Sequence, residues 1–364
     1  MTFLLKITKG LLILSLTIGM FVPVALASEN FYRGEVLEVI SEEIIEEFGT
    51  SKYQEDLKVE LLEGPDAGEI IRVTYINSFI TDGSQKIEEG GKVVVVESVF
   101  GEKVIYSVYE PYRLPNLALL FGLFVVIILF IGGKRGFSSL IGLAVTLLVL
   151  IKWIIPNIVA GGNPLLFSFV GALIIVCVSL YLAHGFNKRT SLALVSTLIT
   201  LQISLVLALL SVYSSKLFGL GSEDAAYLAF GSTDSLDFRG LLLGAIVIGA
   251  LGVLDDVTTT QTATIYELHK LNPKLPFHEL YKRGLSVGKE HIASLVNTLV
   301  LAYVGAAFPA LLVLTMSSQP LWVLMNNEFM AEEIVRTLVG SSTLVLAVPI
   351  STALAAYAYR SKIY

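Results

Sequence analysis

The sequence predicts an all-α membrane bundle of about seven transmembrane helices, preceded by a signal peptide and a small exported β-rich domain of the OB or SH3-like kind. Three observations predict this architecture: an apolar excess, a secretory N-terminal segment, and a change of composition near residue 113. Of 364 residues, 54% are hydrophobic and only 15% are charged, against roughly 45–50% and about 25% in soluble proteins. These proportions exclude a soluble domain, and the sparse, acidic charge disfavours nucleic-acid binding.

Residues 1–27 have the three-part pattern of a secretory signal peptide. Lys6 and Lys9 precede an apolar run of about a dozen residues, and the segment ends in Ala25-Leu26-Ala27, which is typical of a cleavage site. The alternative is an uncleaved first span. In both cases the residues that follow Ala27 are expected to be exported.

Residues 28–113 are predicted to form the exported β-domain. They contain 19 acidic and 8 basic residues, a net charge of −11. Apolar residues alternate with other residues at Leu57, Val59 and Leu61, as in a half-buried strand, and turn residues such as Gly64-Pro65-Asp66 separate about five strands. The glutamate-rich stretch 41–48 looks helical, and we expect it to be a solvated excursion between the first two strands.

Residues 114–364 are predicted to form the transmembrane domain, because long apolar runs replace the alternating pattern. A bilayer core of roughly 30 Å requires about twenty helical residues per crossing. Seven runs meet this requirement, near residues 115–132, 137–156, 164–183, 190–213, 239–263, 292–314 and 335–358.

The distribution of basic residues orients these spans, because short cytoplasmic loops are enriched in Lys and Arg. With the β-domain outside, eleven basic residues fall in the cytoplasmic loops 133–136, 184–189 and 267–291 and in the C-terminal tail, against four on the opposite side. We therefore expect a multi-pass protein of the bacterial cell membrane with residues 28–113 extracytoplasmic and the C-terminus cytoplasmic.

The fifth span contains the densest group of polar residues at membrane depth, where an unpaired polar group is costly. Asp255 and Asp256 lie there, about 25 Å along a helix that begins near Arg239, and hydroxyl residues that include Thr259 and Thr260 follow them. A stripe of small residues leads to Asp256 and is typical of a helix-packing face. We predict this face to comprise Ala245, Gly249 and Gly252, with Gly305 of the sixth span. It would turn Asp256 into the bundle and leave Asp255 at the border.

Asn297 and Thr298 of the sixth span are predicted to complete a polar site with the two acids. They lie about 10 Å from the cytoplasmic end of that span, the same depth as Asp256. The candidate intramembrane site is therefore Asp255, Asp256, Thr259, Thr260, Asn297 and Thr298. Two alternatives remain open: Asn297 could be interhelical glue, and a span that ends early would leave both acids among the headgroups.

Two segments of the chain are GALGVLDDVTTTQTATIYEL and VGKEHIASLVNTLVLAYVGAAFP. Both segments are similar to the YibE/F-like family of bacterial multi-spanning membrane proteins. The family pattern is matched by Gly249, Gly252, Asp256-Val257 and Asn297-Thr298-Leu299. The chain departs from it at Asp255 and His291, where the family more often has apolar residues, so the resemblance favours Asp256 over Asp255. The resemblance extends more loosely over the whole chain, including the signal, the exported β-rich region and the seven spans. It implies no defined biochemistry, since the family is uncharacterised.

Three functional hypotheses follow from these residues. The first is a transporter or ion-coupled permease, because intramembrane acids mark ion paths. The second is a non-catalytic scaffold or sensor whose β-domain binds an envelope protein. The third and weakest is a Mg²⁺-dependent lipid-phosphate enzyme. No catalytic motif is present, so we expect no enzyme and no cofactor, and the lipid bilayer as the main partner. A cation or proton is the ligand that would suit the two acids.

Overall fold

The computed structural model describes residues 30–47, 50–77, 86–100, 103–231 and 236–361. The predicted signal peptide, residues 1–27, lies outside the described residues. The described residues divide in sequence into two compact units, one that ends at Ile128 and one that begins at Leu129. Each unit has its own hydrophobic core.

The first unit contains a five-stranded antiparallel sheet in the order β3-β2-β1-β4-β5. The strands are β1 (Asn30–Glu47), β2 (Thr50–Leu61), β3 (Ile70–Asn77), β4 (Lys92–Phe100) and β5 (Lys103–Pro111). The edge strands β3 and β5 approach each other, so the sheet curls toward a barrel. The predicted β-rich region is therefore confirmed as a barrel-like sheet.

The core of this sheet follows from the alternating sequence pattern, because successive side chains of a strand point to opposite faces. Leu57, Val59 and Leu61 of β2 are all buried, while Lys58 between them is exposed. The other strands contribute in the same way, and the core consists of Val36, Leu57, Val59, Leu61, Val73, Tyr75, Ile87, Val93, Val95 and Val108.

The expected excursion at residues 41–48 was wrong, because β1 continues to Glu47 and pairs with β2. Glu42 lies opposite Glu55 and Glu46 lies opposite Ser51 in this ladder. Two shifts of register, between Val36 and Glu38 and between Val39 and Ser41, interrupt the regular pairing. The helical sequence preference is overridden because the ladder with β2 supplies partners for the backbone groups of these residues.

The second unit is helical. The helices are α1 (Leu114–Val149), which begins in the first unit, a π-helical turn (Leu150–Ile154), α2 (Ile155–Val159), α3 (Pro164–His184), α4 (Lys188–Ser214), α5 (Glu223–Gly231), α6 (Phe238–Leu271), α7 (Phe277–Ala306), α8 (Phe308–Met316), α9 (Leu321–Asn326) and α10 (Glu328–Tyr359). Asn163, Asn187, Asp237 and Asn327 accept backbone N–H groups at the starts of α3, α4, α6 and α10, which is the usual role of these residue types.

Within the described residues, five helices are long and apolar enough to cross a membrane, or six if the bent pair α7 and α8 forms one span. Several helices therefore have the length and apolar composition of membrane spans, and the count of seven stays a prediction. The longest candidate runs over Leu114–Val159. Its backbone leaves helical geometry at Gly133, with φ 53° and ψ −131°, in the region where the sequence predicts a loop.

The region predicted as the loop 267–291 and the sixth span differs from expectation. The fifth predicted span continues as α6 to Leu271, and α7 already begins at Phe277, so most of residues 267–291 are helical. The expected single helix over 292–314 is instead bent by 67° between α7 and α8. Pro309 explains the bend, because a proline ring clashes with the carbonyl of the fourth preceding residue in a continuous helix.

Candidate functional site

The helix α6 carries both aspartates and lies at the centre of the helical unit, in contact with α3, α4 and α10. Three buried residues help to determine which side of α6 faces each neighbouring helix. The hydroxyls of Thr197 and Thr258 are 2.7 Å apart across α4 and α6. The Gln261 amide donates to the Gly284 carbonyl at 2.6 Å and to the Thr352 hydroxyl at 2.7 Å. Neighbouring helices α4, α7 and α10 are thereby tied to one face of α6.

This orientation of α6 places the two acids differently from the sequence expectation. Residues on a helix are about 100° apart, so the face that contains Thr258 and Gln261 brings Asp255 to the edge of the core. Asp255 is half-buried, and one of its carboxylate oxygens, Oδ1, is buried with no hydrogen-bond partner among the described residues. Asp256 is exposed on the protein surface. Asp255, rather than Asp256, is therefore the more enclosed acid.

The predicted packing stripe is not the packed face of α6. Ala245 and Gly252 are exposed, and a Cβ atom on Gly252 would meet no other atom within 4 Å. Gly305 is exposed and equally open, and only Gly249 approaches a neighbour, since its Cβ would lie 3.2 Å from the Tyr303 hydroxyl. A different set of residues forms the packed face. It combines the small residues Gly240, Gly244 and Ala250 with the large aliphatic residues Leu242, Leu243, Ile246, Val247, Leu251, Leu254, Val257 and Ile265.

A cavity of about 580 Å³ lies beside the acids. Three helices line it, with α1 and α3 facing the exposed side of α6. Its polar lining residues are Ser139, Thr146, Ser179, His184, Asp255, Asp256, Thr259 and Thr260. The remaining lining residues are small or aliphatic. The stripe that leads to Asp256 thus borders open space in part, because Gly252 also lines the cavity.

Four of the six predicted site residues come together in this cavity, namely Asp255, Asp256, Thr259 and Thr260. Asn297 and Thr298 do not line it; both are exposed on α7, and the Thr298 hydroxyl donates to Ser294 O of its own helix at 3.0 Å. The sequence positions of Asn297 and Thr298 predict their depth in the membrane but not the side of the helix on which they lie. Depth alone does not determine which helices face each other.

The polar groups of α1 and α3 are the part of the site that the sequence interpretation missed. Thr146 donates to Gly142 O of its own helix at 3.0 Å, and a Cβ on Gly142 would lie 3.8 Å from Cα of Ser179. The two helices therefore approach closely at Gly142 and Ser179. A sequence signal for this contact exists, because each span has small residues four positions apart. These are Gly142 and Thr146 in α1, and Ser179 and Ala183 in α3.

Hydroxyl groups next to the acids are already engaged in part. The Thr259 hydroxyl donates to the backbone carbonyls of Asp255 at 2.8 Å and of Asp256 at 3.1 Å. Thr258 donates to the Asp255 carbonyl as well, at 3.3 Å. These bonds hold backbone oxygens, so the carboxylate groups themselves stay available for a ligand. Two carboxylates beside hydroxyl groups and a cavity can hold a proton or a cation.

Comparison with known proteins agrees with this architecture. The family model described as YibE/F-like protein matches residues 120–361, which include every residue that lines the cavity. The chain belongs to the YibE/F-like family. No curated protein and no solved structure matches the chain. The family match covers the helices of the site and supports a membrane protein, while it brings no substrate or reaction with it.

Proposed function

We propose that this YibE/F-like protein is an ion-coupled transporter of the bacterial cell membrane that binds a proton or cation at Asp255 and Asp256. One observation carries the proposal: the Asp255 Oδ1 atom is buried without a partner among the described residues, and Asp255 lines a cavity of about 580 Å³. A buried carboxylate that lacks a partner is costly in a membrane interior. A bound proton or cation removes that cost. Binding of the ion would therefore be coupled to whether the cavity is open or closed.

The architecture assigned to this transporter has seven spans. At about 1.5 Å per residue, the 46 residues of Leu114–Val159 would extend about 69 Å, more than twice the roughly 30 Å of a bilayer core. We propose that this stretch makes two crossings, separated at the non-helical backbone of Gly133. With the bent pair counted as one span, the six candidates then become seven.

The orientation of the transporter follows from the charge distribution. Lys134 and Arg135 directly follow the break at Gly133, and Lys188 and Arg189 begin α4. Under the positive-inside rule these ends are cytoplasmic, as is the C-terminus, and residues 28–113 are extracytoplasmic after removal of the signal peptide. The cavity then opens in the cytoplasmic half of the membrane, because His184 at the end of α3 lines it.

Reconstitution tests the transport proposal. The purified chain is placed in liposomes, an ion gradient is imposed, and proton, sodium, potassium and magnesium fluxes are measured with ion-selective dyes. We expect a flux with wild-type protein that Asp255→Asn abolishes. Asp224→Asn is the matched control, because Asp224 is an exposed acid on α5 and does not line the cavity. Absence of every flux from a folded wild-type protein, or equal fluxes from wild type and Asp255→Asn, would contradict the proposal.

A further inference from the structure

A second cavity, of about 200 Å³, adjoins the acid-lined cavity and has the opposite charge. Its charged or titratable lining residues are Arg135 of α1, His184 of α3 and Arg189 of α4. Three hydroxyl residues, Thr190, Thr259 and Thr260, complete its polar lining. No Asp or Glu is among the described residues that line it. The two cavities share His184, Thr259 and Thr260, so they are neighbours along α6.

The positive charges of this second cavity have no carboxylate partner among the described residues. Neither Arg135 nor Arg189 forms an ion pair with a carboxylate in the part of the chain that the structure describes. The Arg189 guanidinium lies 5.8 Å from the centre of the Tyr266 ring, a contact that orients it without balancing its charge. Because arginine stays protonated at every physiological pH, these charges require water or an anionic ligand.

The adjacent Lys188 differs from the two arginines, because other groups of the protein already bind its ammonium group. Lys188 Nζ donates to the Ala358 carbonyl at 2.7 Å and lies 4.5 Å from the centre of the Tyr359 ring. Lys188 does not line the cavity, whereas Arg189, the next residue, does. The basic start of α4 therefore divides into one residue that anchors α10 and one that faces the cavity.

From this arrangement we infer that the second cavity is a binding site for a phosphate group. Two guanidinium groups from separate helices suit the several oxygens of a phosphate, because each can donate two parallel N–H bonds. The cavity is large enough for one such group and too small for a large organic ligand. Thr190, whose hydroxyl already donates to His184 O at 3.5 Å, brings the positive end of the 27-residue helix α4 to the cavity. The ligand is anionic, so this site is distinct from the proton or cation site.

Phospholipid headgroups and inorganic phosphate share this chemistry, and the test has one arm for each. In the first arm, inorganic phosphate is titrated into delipidated full-length protein in a neutral detergent at constant ionic strength, with calorimetric detection. In the second arm, the protein is offered phosphatidylglycerol or phosphatidylcholine in mixed micelles, and retained lipid is counted by native mass spectrometry. Each arm compares wild type with Arg135→Gln and Arg189→Gln.

We expect each arginine variant to weaken binding about tenfold or more, as loss of a charge-assisted hydrogen bond does. Lys188→Gln is the matched control and should bind as wild type does. If inorganic phosphate binds in the first arm and the arginine variants weaken this binding, the ligand is free phosphate. If only phosphatidylglycerol in the second arm is retained in an arginine-dependent way, the ligand is a lipid headgroup. Thermal melting verifies folding, and Thr260→Val, which keeps both arginines, gives a milder loss if an arginine variant does not fold.

Two results would overturn the phosphate site. One is that neither phosphate nor phosphatidylglycerol binding depends on Arg135 and Arg189 in folded protein. The other is that Lys188→Gln weakens binding as much as the arginine variants, since that indicates general surface charge. Asp255→Asn should retain phosphate binding while losing ion flux, so failure of this inference is distinguishable from failure of the transport proposal.

Discussion

Replacement of Gln261 by methionine is expected to destabilise the helical unit, because this side chain ties α6 to two neighbouring helices. Gln261 is 1% exposed, and its Nε2 donates to the Gly284 carbonyl and to the Thr352 hydroxyl. Methionine has a similar length and no donor. The variant therefore loses both bonds while it continues to fill most of the same space.

The expected magnitude follows from the two lost bonds. Interhelical hydrogen bonds in membrane proteins average about 0.6 kcal/mol and reach about 1.7 kcal/mol, so two of them amount to roughly 1–3 kcal/mol. A loss of 1 kcal/mol lowers the melting temperature by about 2–4 °C for a chain of 150–250 residues. Purified protein in detergent, heated and followed by intrinsic fluorescence, measures this shift.

Gln202 provides a matched control for Gln261. It lies on α4, is exposed, and has no hydrogen bond among the described residues, so Gln202→Met should leave the melting temperature unchanged. Equal melting temperatures for wild type, Gln202→Met and Gln261→Met would refute the assignment of Gln261 as one of the residues that set which side of α6 faces its neighbours. The placement of Asp255 at the cavity depends on that orientation.

Two further changes test the packing of the helical unit and the charge of the sheet. Gly288→Ala should destabilise the protein by about 1–3 kcal/mol, because its Cβ would lie 2.3 Å from Val348 Cγ1, and thermal melting measures this loss. Burial raises the pKa of Glu55, so the stability that its neutral form contributes is complete below about pH 4.3 and is lost as pH rises through the native pKa. Glu55→Gln should remove this decline in stability with pH. Amide exchange at Ile87 measures it, because the Ile87 N–H donates to Glu55.

Each of these changes has its own control. Gly305→Ala places a Cβ in open space and should leave stability unchanged or raise it by up to about 1 kcal/mol; a loss equal to that of Gly288→Ala would contradict the packing argument. For Glu55, the intrinsic exchange rate at each pH is first divided by the observed rate, so that the protection of Ile87 is compared rather than the chemical exchange rate. Parallel pH profiles for wild type and Glu55→Gln would show that burial of this carboxyl does not govern the stability of the sheet.

The fold was predictable from the sequence wherever periodicity reflects burial on one side. Leu57, Val59 and Leu61 alternate because one face of their sheet is a core, and the apolar runs after residue 113 have the length of about twenty residues that a bilayer crossing requires. The stretch 41–48 was misjudged because its glutamates favour helix locally, whereas pairing with β2 depends on residues that are distant in sequence. Pro309 was visible in the sequence, but a proline does not by itself specify the angle between the two helical segments that it separates.

The site was predictable only in part, for a physical reason. A polar residue in an apolar run is conspicuous, because placing its polar group in the membrane interior costs free energy. The residues Asp255, Asp256, Thr259 and Thr260 could therefore be identified individually. Their partners could not, because α1 and α3 contribute hydroxyls such as Ser179 that are common in membrane helices. Small residues indicate either close packing or open space, and the sequence alone does not distinguish these two cases on α6.

Carbodiimide labelling of the carboxyl groups tests the central claim most directly. A lipid-soluble carbodiimide reacts with protonated carboxyl groups in apolar surroundings, and peptide mass spectrometry of the full chain in membranes identifies the modified residue. If Asp255 is the site, it is labelled in preference to Asp256, and the coupling cation or a rise in pH protects it. Labelling of Asp256 alone, or labelling of Asp255 that neither cations nor pH affect, would contradict a proton or cation site at Asp255.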